Sequence, residues 1–387
     1  MITWSACRKL WPSSFTTSKQ DLAFLKGFCQ RILGSNKFYH GQSGLSLDEG
    51  DSDEVSNASQ PKRILRIAVI GLPNAGKSTL INQIMERRVC ATSMKVHTTD
   101  RKARAIDNTG NTQLVFLDTP GLVTQAEIKR HSLQPSFSLA PLESVKEADM
   151  VTVVHDVSNK WTRDFLHRKL LFLLNEFPDK HSILILNKVD ALKNKRFLLG
   201  LTEKLTKGRL KSLNCGNDDE KIEYNPNDVG WGKFSEIFMV SALTGEGVGD
   251  IKEYMIQNAR LSPWLFDSGT FTDQQSQQLV EDAVREKLLD NLPQEIPYNV
   301  SSKMEFFAHT DAGLLCISVV VICKFKRHQK MLLGHGGNRV RIIAKEAEQS
   351  LANCYRCPVK LNIVVECKED LTSRPQREPP KKGLLEE

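Results

Sequence analysis

The stretch ILRIAVIGLPNAGKST, Ile64 to Thr79, limits what this chain can fold into more than any other part of it. Its first half is an apolar run broken only by Arg66, the pattern of a strand covered on both faces. Its second half fits G-x-x-x-x-G-K-S from Gly71 to Ser78. A loop of that kind wraps a phosphate chain with inward-facing backbone N–H groups, and it needs a helix N-terminus immediately beyond it. Strand, loop and helix in this order predict an α/β fold. Gly71, Asn74, Ala75, Gly76, Lys77, Ser78 and Thr79 are the expected phosphate-binding residues, with Lys77 neutralising the β- and γ-phosphates and the Ser78 hydroxyl on Mg²⁺.

Four more apolar runs follow at intervals: LVFLDTPG, DMVTVVHDVS, SILILNKVD and EIFMVSAL. Like the first they lack polar alternation, which predicts a mostly parallel sheet between helix layers. A polar stretch at about 204–233 reads as a surface insertion. Beyond Phe266 the pattern changes to α-β-β-α-α-β, beginning with the helical QQLVEDAVREKLLDNL and ending with the strand VKLNIVVEC. The expected domains are a leader and acidic linker over 1–60, a nucleotide domain over 61–262, a second domain over 263–370 and a disordered tail over 371–387.

Three motifs behind the first loop narrow the nucleotide to GTP, as substrate with Mg²⁺. DTPG ends one strand: Asp118 would hold Mg²⁺ through water, and Thr119, Pro120, Gly121 and Leu122 would form the second switch, with the Gly121 amide sensing the γ-phosphate. NKVD ends another, placing Asn187 and Lys188 at the base and aiming Asp190 at the N1–H and N2–H₂ donors that adenine lacks. Ser241 and Ala242 complete the pocket, the Ala242 amide being expected at guanine O6. In KVHTTDRK, where the first switch should fall, Thr99 is the expected third Mg²⁺ group and Thr98 its near alternative. Leu122 occupies the position at which a glutamine can orient the attacking water, so slow intrinsic hydrolysis is expected.

The formal net charge of +7 leans towards a polyanionic partner. No apolar run is long enough to span a membrane. The nine cysteines are scattered and odd in number, which suggests reduced thiols. The first 20 residues carry Arg8, Lys9 and Lys19 among many hydroxyls and no acid, more like an organellar transit peptide than a secretory signal.

Taken together, GLPNAGKST, HTTDR, DTPGL and NKVD resemble the GTPases of the TrmE–Era–EngA group. REKLLDNLPQEIPYNV and MLLGHGGNRVRIIAKEAEQSL are similar to the Era family within it, and DVSNKWTR, the insertion and the N-terminal extension to its animal mitochondrial branch. One departure is Asp100, where the family commonly has arginine after the paired threonines. The resemblance implies a P-loop GTPase domain followed by a type II KH domain. It implies a GTP-regulated chaperone of small-ribosomal-subunit assembly that binds the single-stranded 3′ region of the small-subunit (12S-type) rRNA. It also implies a place in the mitochondrial matrix, free or peripheral to the inner membrane. Asn74 resembles the asparagine that coordinates K⁺ in related GTPases, which implies K⁺ as a second cofactor.

The residues of the second glycine cluster argue for RNA on their own account. No Lys-Ser/Thr follows Gly337, so it is not a second nucleotide loop. Gly334, His335, Gly336 and Gly337 form a GXXG turn between two helices, where backbone can approach a sugar–phosphate chain without a Cβ in the way. Lys324, Lys326, Arg327, Lys330, Arg339, Arg341 and Lys345 surround it, with acids on this side only from Glu346 onward. A signalling switch gripping a protein, and a GTPase with a metabolic or tRNA-modifying activity, are the competing readings.

Overall fold

The computed structural model describes residues 61–92, 103–119, 121, 136–209, 228–293 and 296–368. The leader, the middle of the insertion, the tail, and the expected site residues Thr98, Thr99, Pro120 and Leu122 lie outside the described residues.

The first sheet is built from β1 (Arg63–Gly71), β2 (Ala103–Thr109), β3 (Thr112–Asp118), β4 (Met150–Asp156), β5 (His181–Asn187) and β6 (Glu236–Val240), in the order β2-β3-β1-β4-β5-β6. Pairing is parallel from β3 through β6, while β2 is antiparallel to β3. Every residue of β3 is buried, and so are all but the last of β4 and all but the first of β5, as uninterrupted apolar runs between two helix layers require. Arg66 fits this core because Nε and Nη2 each donate to Asp149 at 2.9 Å. Burial alone would push the Asp149 carboxyl up, but these bonds outweigh it and hold the group below the usual carboxylate range. The helices are α1 (Lys77–Met85), α2 (Ser136–Glu147), α3 (Arg168–Glu176), α4 (Phe197–Leu205) and α5 (Val248–Gln257). The chain leaves β1 towards β2 and β3 on one side and returns to β4 on the other. The carboxyl end of β1 is therefore a topological switch point, where ligands of open α/β sheets bind.

The domain boundary expected after residue 262 falls later. A two-residue strand, β7 (Arg260–Leu261), pairs antiparallel with β1, and the chain then stays on the first sheet. Trp264 Nε1 donates to the carbonyls of Arg63 and Asn111, the Gln113 side chain accepts from the Leu265 and Phe266 amides, and Thr272 bridges to Ala105. These bonds assign residues 263–273 to the edge of the nucleotide domain.

The second domain follows the expected α-β-β-α-α-β order: α6 (Ser276–Asn291), β8 (Val300–His309), β9 (Leu315–Cys323), α7 (Lys326–Leu333), α8 (Asn338–Tyr355) and β10 (Val359–Cys367). In sheet order β10-β9-β8, β10 is parallel and β8 antiparallel to the central strand. Leu315, Ile317, Val319, Val321 and Cys323 alternate onto one face and bury against Val280, Val284 and Leu288 of α6 and Ile343, Ala347 and Leu351 of α8. One face of a three-stranded sheet covered by three helices, α7 adding the buried Leu332, makes a separate core from the two that flank the first sheet.

Candidate functional site

The phosphate loop between β1 and α1 turns through two left-handed residues, Asn74 at φ 59° and Gly76 at φ 94°. Gly76 is demanded twice over, since a Cβ there would lie 2.3 Å from Asn187 Nδ2. No side chain caps α1, so the amides beyond Gly76 are left for an anion. Gly71 and Ala75 are buried under the loop, Ser78 and Thr79 are half-buried in the first turn of α1, and Gly121 lies back-to-back with Pro73. Lys77 is buried, its Nζ donating to the carbonyls of Leu72 at 3.1 Å and Gly71 at 3.3 Å. Burial pushes this ammonium down to about 8, against the opposing pull of Asp118. The loop thus holds a cation whose missing solvation a phosphate would supply.

Asp118 shares the pocket floor. Burial pushes its carboxyl up, with Lys77 and Ser78 acting in the other direction. The Ser78 Oγ donates to Asp118 Oδ2 at 3.0 Å, while the buried Oδ1 has no nitrogen or oxygen partner among the described residues. A hydroxyl beside a carboxylate with one bare oxygen is a hard-oxygen donor set that fits Mg²⁺. Thr119 is not part of it: its hydroxyl is turned back onto the Val69 carbonyl of β1 at 2.8 Å.

The guanine end differs from expectation in one respect. Asn187 lashes two loops together, its Nδ2 donating to Ala75 O at 2.8 Å and its Oδ1 accepting from the Ala242 amide at 2.9 Å. The Ala242 amide, expected at guanine O6, is therefore committed to Asn187, because the buried side-chain oxygen needs a donor. Ser241 is buried, and its hydroxyl accepts from the Thr244 amide. Lys188 stands in the left-handed region at φ 68°, with its Nζ 2.6 Å from Asp156 at the end of β4. Asp190, on the single 3₁₀ turn Val189–Ala191, is exposed and makes no hydrogen bond or ion pair among the described residues.

At the second glycine cluster, Gly334 has φ 69° and a Cβ on it would stand 2.9 Å from Arg339 Cβ. Gly336 and Gly337 face open space. The Arg339 guanidinium, expected to face a ligand, instead donates to the Met331 carbonyl and staples α8 to α7 across the loop. Lys324, Lys326, Arg327, Lys330, Arg341, Lys345 and His335 are exposed around it. Sequence reasoning missed the apolar groups beside these charges: Phe325, Met331, Ile342 and Val364 are exposed by 40% or more. Their signal was available as large apolar residues at positions that the helical and strand periods leave outside the core.

Two family descriptions match the chain: the 50S ribosome-binding GTPases over residues 66–188 and the KH domain over 295–371. The mitochondrial GTPase Era of Danio rerio is 37% identical over 357 residues, 84% of this chain and 79% of that one. That of Salmo salar is 34% identical, covering 92% of this chain and 88% of its own. Among solved structures, Era in complex with MgGDPNP and nucleotides 1506–1542 of 16S ribosomal RNA superposes with a TM-score of 0.61 at 25% identity, over 81% of this chain and 97% of that one. Aquifex aeolicus Era bound to GDP·AlF4⁻ shares the fold with the same TM-score at 24% identity, over the same shares of the two chains.

Proposed function

Since the chain belongs to the Era family of GTPases, we propose that this GTP-hydrolysing, KH-containing protein chaperones mitochondrial small-subunit rRNA during ribosome assembly. The RNA reading rests above all on the loop at 334–337, where two glycines open to solvent are ringed by exposed cations and apolar side chains. Backbone amides and cations suit phosphates, and the apolar groups suit unstacked bases, a combination that favours a single strand. The strand assigned here is the 3′ region of the 12S-type rRNA, and the compartment is the matrix, free or peripheral to the inner membrane. Among the described residues no helix is long and apolar enough to cross a membrane. Sequencing the RNA cross-linked to residues 324–345 in cells tests partner and compartment together.

Binding of a single strand should weaken with salt at a log–log slope of roughly 0.7 per phosphate contacted. Titrating a labelled oligonucleotide between low and physiological salt measures it, and a flat dependence would favour a protein partner.

At the nucleotide site, Lys77 would neutralise the β- and γ-phosphates, Ser78 and Asp118 with Thr99 or Thr98 would hold Mg²⁺, and Asp190 would read guanine. Mg²⁺ supplies charge stabilisation on the phosphates when bound. Asn74, left-handed and exposed at the rim of the loop, would add K⁺. GTP turnover should then be faster in KCl than in NaCl at equal ionic strength, and the difference should vanish in Asn74→Ala. Equal rates in the two salts would remove K⁺ from the site.

A further inference from the structure

The chain leaving α1 is gripped from two sides. From within the nucleotide domain, Asn82 Oδ1 accepts from the Val89 and Cys90 amides at 2.9 and 2.8 Å, and its Nδ2 donates to the Cys90 carbonyl at 2.7 Å. The second grip comes from the KH-containing domain. The Thr92 amide donates to Glu286 Oε2 on α6 at 2.9 Å. The Arg88 amide donates to Asn353 Oδ1 at 2.7 Å and its Nη1 to Ser350 Oγ at 2.8 Å, both on α8.

Glu286 and its neighbour Lys287 are only 4% and 7% exposed, with Lys287 Nζ 2.7 Å from Glu286 Oε1. A buried ion pair is weak evidence for stability, because apolar residues of similar volume often serve as well. What an apolar side chain cannot do is accept a hydrogen bond from one particular amide. Glu286 does so at Thr92, the last described residue before the segment that carries Thr98 and Thr99.

We propose that Glu286 is a positioning residue for recognition of the GTP-bound state: from the second domain it fixes the point at which the chain enters the first switch. The inference rests on reading Thr98 and Thr99 as that switch. It gives the γ-phosphate and any ligand that displaces α6 one shared hydrogen-bonded contact, through which each would influence the other's affinity by the same factor.

The test compares two variants of the full chain that separate position from charge. Glu286→Asp keeps the charge beside Lys287 but withdraws the oxygen from Thr92 by one methylene, whereas Glu286→Gln loses the charge and keeps an oxygen that can accept the amide. The readout is the ratio of affinities for a non-hydrolysable GTP analogue and for GDP, measured with fluorescent nucleotides. Glu286→Asp should change this ratio by about fivefold or more, the lower end of typical coupling between sites. Glu286→Gln should stay within about twofold of the parent, a limit well below that coupling range. An unchanged ratio in Glu286→Asp overturns the proposal, as does the reverse ranking, which a purely charge-neutralising role would give. Should Glu286→Gln not fold, Glu286→Asp alone decides. The double variant Thr98→Ala/Thr99→Ala, run alongside, must lower the ratio. If it does not while Glu286→Asp does, the switch assignment fails; if it does while Glu286→Asp does not, the role of Glu286 fails.

Discussion

Asp190→Asn should exchange guanine for xanthine preference. In guanine, N1–H and N2–H₂ are two donors side by side, and a carboxylate is the side chain that accepts both. The structure leaves this carboxylate available: Asp190 is exposed on a short turn and engages no partner among the described residues. Its surroundings are fixed for it. Asn187 is tied to Ala75 and Ala242, and Lys188 to Asp156, so the 3₁₀ turn starts from an anchored strand end. An asparagine offers one acceptor and one donor, which mismatches guanine and matches the carbonyl that xanthine carries at C2. Discrimination built on paired polar groups reaches roughly 10⁴-fold, so the variant should lose GTP affinity by orders of magnitude and gain XTP affinity. Competition of both nucleotides against a fluorescent analogue measures this, and retained preference for GTP would refute the role given to Asp190.

How much of this was legible in the sequence depended on whether the information was local. The runs ILRIAVIG and SILILNKVD carried their burial on their face, and β1 and β5 formed where they stand. The order of the second domain followed from periods of two and of three to four residues and was found intact. The sequence also placed Ser78 and Asp118 in one site although they are 40 residues apart, because Asp118 ends β3 and Ser78 lies in the first turn of the helix that follows β1, its parallel neighbour. What escaped were contacts with no local pattern. Glu286 lies in an ordinary amphipathic helix, and nothing near it announces that its carboxylate meets Thr92, 194 positions away. The boundary was misplaced for a similar reason: SPWLFDSGTF has no strong period, yet Trp264 and Phe271 anchor it to β1, to β2 and to the turn before β3. The Ala242 amide was assigned to guanine because its competitor, the Asn187 side chain, arrives from another strand.

Replacing His335 and Gly336 together by aspartate should abolish most RNA binding and leave GTP binding untouched. These two positions in the loop are the ones that geometry recommends. Gly334 is unsuitable, because any side chain there collides with Arg339 and would disturb the joint between α7 and α8. Gly336 has φ 60° with open space around its Cα, and aspartate is among the residues that tolerate that conformation when the side chain is solvated. His335 is exposed, so its replacement removes no packing. Two carboxylates placed where phosphates would approach would also pair with Lys326, Arg327 or Lys330 and withdraw them from the ligand. Repulsion between unit charges at 4 Å is about 1 kcal/mol even at the dielectric constant of water. Two such charges weaken binding by roughly thirtyfold, and more where the site excludes solvent. The nucleotide loop has its own core and lies in the other domain, so GTP affinity and thermal midpoint should match the parent. Filter binding of a single-stranded oligonucleotide, with nucleotide affinity measured on the same preparation, separates the outcomes. RNA affinity unchanged beside intact GTP binding would show that the glycine loop is not where this GTPase holds RNA, whereas parallel loss of both would mean that the substitutions had damaged the fold.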